Sequence, residues 1–249
     1  MTATASLRAL LEGLIDYAGL FPPAALSMQD AVRNYARYRD EEYAWALGRF
    51  VVPADRAHEV PPEFPLSVLG VDEVKAATAE DVERIARDAN GRIVYVEISD
   101  IGLLTAIARH GLRVKVRTGG VTPDAFPPIA DVAQFLRACK EAGVAFKATA
   151  GLHHPLRCVK SLTYAPDAPT GTMHGFVNVF LAAALLEHAD EILLEDDARA
   201  FVFDDDGAAW RGHRVSTDAL RVMRREFATS FGSCSFEEPI GDLRGLDWL

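Results

Sequence analysis

Short apolar runs alternate with helix-period segments from one end of this chain to the other, and that alternation limits the fold more than any other feature. A strand, a helix and a further strand in succession build a parallel sheet with helices on its faces. After a first helix near Ser6–Gly13, the apolar runs predict strands at Leu14–Leu20, Arg49–Pro53, Leu66–Gly70, Ile93–Ser99, Leu112–Thr118 and Ala145–Gly151. Helical patterns fall at Ser27–Arg39, Ala79–Ala89, Ile101–His110, Ile129–Ala142 and Met173–His188. The seventh strand has two candidates. Glu191–Glu195 also reads as a short helix capped by Asp190, whereas Ala200–Asp204 leads into an Asp-Gly turn and is preferred. A helix at Thr217–Glu226, an eighth strand at Phe227–Gly232 and a partly helical Glu237–Leu249 complete the pattern.

Eight strands with interleaved helices in 249 residues match one α/β (β/α)8 TIM barrel, irregular at strand seven and spanning residues 1–249 as a single domain. An open doubly wound sheet is the alternative. No Gly-x-Gly-x-x-Gly or Gly-Lys-Ser/Thr loop occurs, so nucleotide-binding readings have no direct support. A net charge of -10 argues against a nucleic-acid partner, which needs clustered Lys and Arg. The longest apolar run, Phe176–Leu186, is interrupted by Asn178 and is too short to span a bilayer. Residues 1–13 carry Arg8 and Glu12 and do not read as a signal peptide. Cys139, Cys158 and Cys234 have no metal-type spacing and leave an odd thiol, which suits a reducing compartment. The expectation is a cytoplasmic protein with a small-molecule substrate, no nucleic-acid or membrane partner and no cofactor, with a homo-oligomer left open.

Lysine is scarce. Only five of the 26 basic residues are lysines, so Lys147, placed where a buried strand runs into a loop, stands out as a reactive amine. An amine can lose its proton and attack a carbonyl, which a guanidinium does not do. Strand parity sharpens this, because side chains alternate between lumen and helix-facing surface. If Val94, Val96, Val114 and Val116 face helices, then Tyr95, Glu97, Lys115 and Arg117 face the lumen, and Lys147 and Thr149 join them. Two lysines and an arginine against one carboxylate would lower the amine's pKa, or Lys115 and Arg117 would hold an anionic group of a substrate that Thr149 also touches. Glu97, Asp16 or His153 moves protons, and Asp16 can restore neutrality. Alternatively, Glu97 simply neutralises Lys115 or Arg117 in a structural bridge.

The run Leu112-Arg113-Val114-Lys115-Val116-Arg117-Thr118-Gly119-Gly120, a helix ending Ala142-Gly143 and the run Phe146-Lys147-Ala148-Thr149-Ala150-Gly151-Leu152 together resemble deoxyribose-phosphate aldolases. Leu14-Ile15-Asp16-Tyr17 resembles that family's first strand. The resemblance implies a TIM-barrel lyase in which Lys147 forms a Schiff base with a small, anionic carbonyl substrate. The family's second lysine, on its seventh strand, has no counterpart, since no lysine follows Lys160; Lys115 is the candidate substitute.

His153, His154 and His174 cluster in sequence around the end of strand six. They offer a competing reading, a metal-dependent hydrolase or isomerase, although their spacing is no recognised ligand signature and no metal is assigned. His153 or His174 can instead serve as a general acid or base, and His154 as a substrate-binding or loop-anchoring residue. Phe21, before Pro22-Pro23, is placed at the pocket; Ser230 and Ser233 are placed after strand eight to receive an anion. A third reading is a catalytically silent barrel acting as a binding module.

Overall fold

The structure, a computed structural model, describes residues 3–249. Eight parallel strands close into a barrel: β1 (Ile15–Tyr17), β2 (Leu47–Pro53), β3 (Leu66–Leu69), β4 (Glu73–Lys75), β5 (Tyr95–Glu97), β6 (Arg113–Arg117), β7 (Phe146–Thr149) and, after five peripheral strands, β13 (Ala228–Ser233), which closes the ring between β7 and β1. The peripheral strands are a hairpin, β8 (Cys158–Ser161) with β9 (Thr170–Met173), and an antiparallel meander of β10 (Phe201–Phe203), β11 (Gly207–Trp210) and β12 (His213–Ser216). The helices are α1 (Ala5–Leu11), α2 (Met28–Arg39), α3 (Ala79–Ala89), α4 (Leu104–Arg109), α5 (Ile129–Ala142), α6 (Phe176–Ala184), α7 (Ala189–Leu194), α8 (Thr217–Glu226) and α9 (Glu237–Gly245).

Helix starts follow their caps. The Ser27 hydroxyl accepts from the Asp30 amide ahead of α2, and Thr78 with Asp81 forms a reciprocal capping box ahead of α3. From α2, Met28, Ala31, Tyr35 and Tyr38 are buried on one face, and Tyr35 and Tyr38 pack against Tyr17 of β1. In α6 every residue from Phe176 to Ala183 is buried, so the longest apolar run is an internal helix. Its one polar residue, Asn178, is fully satisfied, accepting from the Arg157 amide and donating to the carbonyls of Ile192 and Glu195. Among the described residues no helix is long and apolar enough to cross a membrane.

The barrel is the expected class, but its strand inventory differs. Ala200–Asp204 does not supply a barrel strand: Phe201–Phe203 pairs antiparallel with β11 outside the ring, and Asp204 Oδ1 accepts the Asp206 and Gly207 amides at its turn. The other candidate, Glu191–Glu195, lies mostly in α7. The missing barrel strand is β4, only Glu73-Val74-Lys75, whose single apolar residue leaves no visible hydrophobic run. No helix separates it from β3. A parallel pair ordinarily needs a crossover of a dozen residues or more. Here residues 70–72 suffice because β3 and β4 share only the pair Leu69↔Glu73, so the chain steps sideways from the edge of β2 to the edge of β5. Gly70, at φ 92°, makes that step. The predicted helix Met173–His188 is also shorter, because Met173 ends β9 and the helix begins at Phe176.

Candidate active site

Register brings the charges together. Lys75 pairs with Glu97, Glu97 with Lys115 and Lys115 with Lys147 across β4, β5, β6 and β7, and register partners on parallel strands share a face. Val94, Val96 and Val114 are buried on the opposite, helix-facing side, as parity predicts. Asp16 lies between the outward Ile15 and Tyr17 of β1 and so points into the lumen.

Inside, the side chains form an alternating chain of charge. Lys147, 2% exposed, donates to Asp16 Oδ2 at 2.7 Å and to Glu73 Oε1 at 2.6 Å. The other Glu73 oxygen takes Lys115 Nζ at 3.0 Å, and Lys115 in turn lies 2.9 Å from Glu97 Oε2. That last contact lacks hydrogen-bond geometry, which leaves Glu97 Oε2 a buried acceptor with no bonded donor among the described residues. Glu97 Oε1 is flanked by Arg117 and Lys75, each at 3.6 Å. The carboxylates are held from behind: Asp16 accepts from the Ser230 hydroxyl at 2.8 Å and the Arg49 amide at 2.7 Å, and Glu73 accepts from Ser67 at 2.6 Å.

The electrostatic expectation is therefore reversed. Glu73 was invisible in the sequence pattern, and with it the lumen holds three carboxylates to two lysines. Burial alone would lower the Lys147 pKa, but Asp16 and Glu73 outweigh it and hold the amine above its ordinary value. Burial works against the Glu73 charge as well, yet Lys147 and Lys115 pull its carboxyl down to about 2. Lys147 rests as an ammonium.

A cavity of about 320 Å³ opens over Lys147 at the C-terminal ends of the strands, the face where barrel enzymes carry their active sites. Glu73, Lys115, Arg117, Thr149 and His153 line it, with Phe21, Pro22 and Pro23 forming an apolar side. Arg117 is half exposed and points a guanidinium toward solvent at the rim.

The histidines separate. His153 alone reaches the cavity, with Nδ1 3.2 Å from Glu238 Oε2 and 4.0 Å from Cys234 Sγ. Burial opposes its charge, but Cys234 and Glu238 overcome that and push its pKa up to about 9. His154 turns to α9, with Nδ1 2.5 Å from Asp242 Oδ2, and His174 bonds the Pro127 carbonyl at 2.9 Å. They do not converge, and among the described residues no three His, Cys, Asp or Glu side chains are grouped to hold a metal ion. The two serines are also displaced. Ser230 lies beneath Lys147 against Asp16, and Ser233 belongs to the outward parity of β13, which runs through it and occupies the backbone that an anion loop would need. Of the residues sequence reasoning left aside, Glu73 matters most, followed by Cys234 and Glu238, which flank His153.

Fold and site define a (β/α)8 barrel with a lysine-carboxylate network under a mouth cavity. The sequence matches no protein-family model, and no curated protein matches it at a significant level.

Proposed function

We propose that this protein is an enzyme acting on a small anionic carbonyl compound through a Schiff base on Lys147, with aldolase-like carbon-carbon lyase chemistry. The observation that carries the reading is Lys147 held between Asp16 and Glu73 at the base of a cavity whose other charged groups are mostly cationic. The motif likeness to deoxyribose-phosphate aldolases over residues 111–152 and 14–17 supports it.

An ammonium must first give up a proton. Asp16, bonded to Nζ, accepts it as the carbonyl compound enters, and the freed amine adds to the carbonyl carbon. The two protons that Nζ sheds, one of them held by Asp16 and passed back through the nitrogen, end on the carbinolamine oxygen, which leaves as water. The iminium carries its positive charge where the ammonium stood, so Asp16 and Glu73 stabilise both. Glu73, which lines the cavity, then takes the proton of the substrate's β-hydroxyl while the adjacent carbon-carbon bond breaks and its electron pair enters the iminium to give an enamine. Protonation of the enamine and addition of water release the second product and Lys147. Lys115, Arg117 and the His153 imidazolium supply positive charge for the substrate's anionic group.

Borohydride reduction in the presence of small anionic aldehydes and ketones should leave a mass adduct on Lys147. No adduct across a broad panel removes the proposal.

A further inference from the structure

The barrel is hollow below Lys147 as well as above it. A second cavity, of about 410 Å³, opens at the N-terminal ends of the strands and reaches up to Asp16 and Lys147. In a (β/α)8 barrel this region is ordinarily filled by interdigitated apolar side chains. Here Arg49, Arg113, Arg224 and Arg225 line it, along with the hydroxyls of Tyr95 and Thr229.

Most of its charges have visible partners. Asp16 is engaged by Lys147, Arg225 by Glu226 at 2.8 Å, and Asp72 by the Val68 amide at 2.9 Å with Arg92 at 3.7 Å. Arg49, Arg113 and Arg224 have no carboxylate partner among the described residues. Arg224 is buried, and its guanidinium is used up on the carbonyls of Leu10, Glu12, Ala228 and Thr229, which satisfies its hydrogen bonds and leaves its charge. Arg113 donates to the Tyr95 hydroxyl at 2.9 Å, and the Arg49 side chain touches only the Leu66 carbonyl, at 3.5 Å. Of these three only Arg224 is buried, Arg113 is partly buried and Arg49 exposed, so in a chain of net charge -10 the cavity carries a local surplus of positive charge with no carboxylate set against it.

We propose that this floor cavity binds a small multivalent oxyanion, a phosphate-bearing molecule or a polycarboxylate, between the guanidinium groups of Arg49 and Arg113, on the side of Lys147 remote from the mouth. The fork geometry of a guanidinium suits either oxyanion. A ligand there leaves the mouth open and abuts Asp16, the carboxylate that holds Lys147 from below. The site does not rest on the Schiff-base reading.

The test is a thermal-midpoint titration with inorganic phosphate, pyrophosphate and citrate against chloride at matched ionic strength, with calorimetry for affinity. The expected result is a rise in midpoint above the chloride series. Arg49→Gln should weaken that binding about tenfold or more, while Arg117→Gln at the mouth retains it. Arg49 is exposed and makes one long contact, so its replacement leaves the fold intact; Arg113→Gln, which also frees Tyr95, is the second variant. Comparing the phosphates with citrate tells which oxyanion class the site prefers. No rise over chloride overturns the proposal. A rise lost in Arg117→Gln and kept in Arg49→Gln overturns it too, because it assigns the anion to the mouth.

Discussion

The lumen and the rim of this barrel hold their charges in opposite ways. In the lumen each cation sits between carboxylates: Lys147 between Asp16 and Glu73, Lys115 between Glu73 and Glu97. At the rim, Arg117 is half exposed beside one carboxylate, and His153, in the loop after β7, depends on Cys234 and on Glu238 of α9. Burial with counter-ions fixes a protonation state across the neutral range, whereas His153, raised to about 9 by Cys234 and Glu238, titrates on its alkaline side. The lumen therefore resembles a preset device, and the rim is where pH and substrate charge act.

Cutting the lumen network gives the largest expected effect. Lys147→Met removes the borohydride adduct and leaves Asp16 and Glu73 as buried charges without their shared partner, a loss of about 3–5 kcal/mol in urea denaturation. Adding Asp16→Asn to that variant should recover part of the loss; a loss under 1 kcal/mol for Lys147→Met (~1 kcal/mol being the scale of an exposed pair) would show that the network is not a closed one. Glu73→Gln is next. It removes one of the two carboxylates that raise the Lys147 pKa, so trapping with a small aldehyde at neutral pH should quicken severalfold while stability falls. Unchanged or slower trapping would mean that Asp16 alone sets the amine.

The pH response distinguishes the two regions. Glu73 has its pKa depressed from 4.5 to about 2, so its stabilisation is complete above 4.5 and is lost as pH falls from there through 2. His153 runs the other way: raised from 6.5 to about 9, it stabilises fully below 6.5 and loses that contribution as pH rises through 9, by up to about 3 kcal/mol. Denaturation curves of His153→Gln should lack the alkaline decline and keep the acid one. An unchanged alkaline limb would move the titration to another group. The smallest effect belongs to Arg117→Gln, which at its exposed position should leave stability within about 0.5 kcal/mol and raise KM for an anionic substrate severalfold with little change in kcat. A fall in kcat with KM unchanged would place Arg117 deeper in the chemistry than the rim.

Legibility in the sequence followed the strength of local signals. The strands around Val94, Val96, Val114 and Phe146 and the capped helices α2 and α3 were readable because burial on one face imposes a period of two or 3.6 residues. Parity then placed Glu97, Lys115 and Lys147 on one inner surface. β4 escaped because three residues, two of them charged, carry no periodic signal; its existence depends on hydrogen bonds to β5 from a distant stretch of chain. Ala200–Asp204 misled for the converse reason, since an antiparallel hairpin with an Asp-Gly turn shows the same local pattern inside or outside a barrel.

The sequence by itself thus determined the barrel class, the inward direction of Lys147 and the company of Lys115 and Glu97, because each follows from the alternation of side chains along one strand. Only the tertiary structure decided the charge state of that lysine and which histidine reaches the cavity above it. Asp16 and Glu73 lie 131 and 74 residues from Lys147 along the chain, and His153, not its neighbour His154, faces the cavity. Electrostatic energy depends on distances across the closed barrel, and no local pattern encodes those distances.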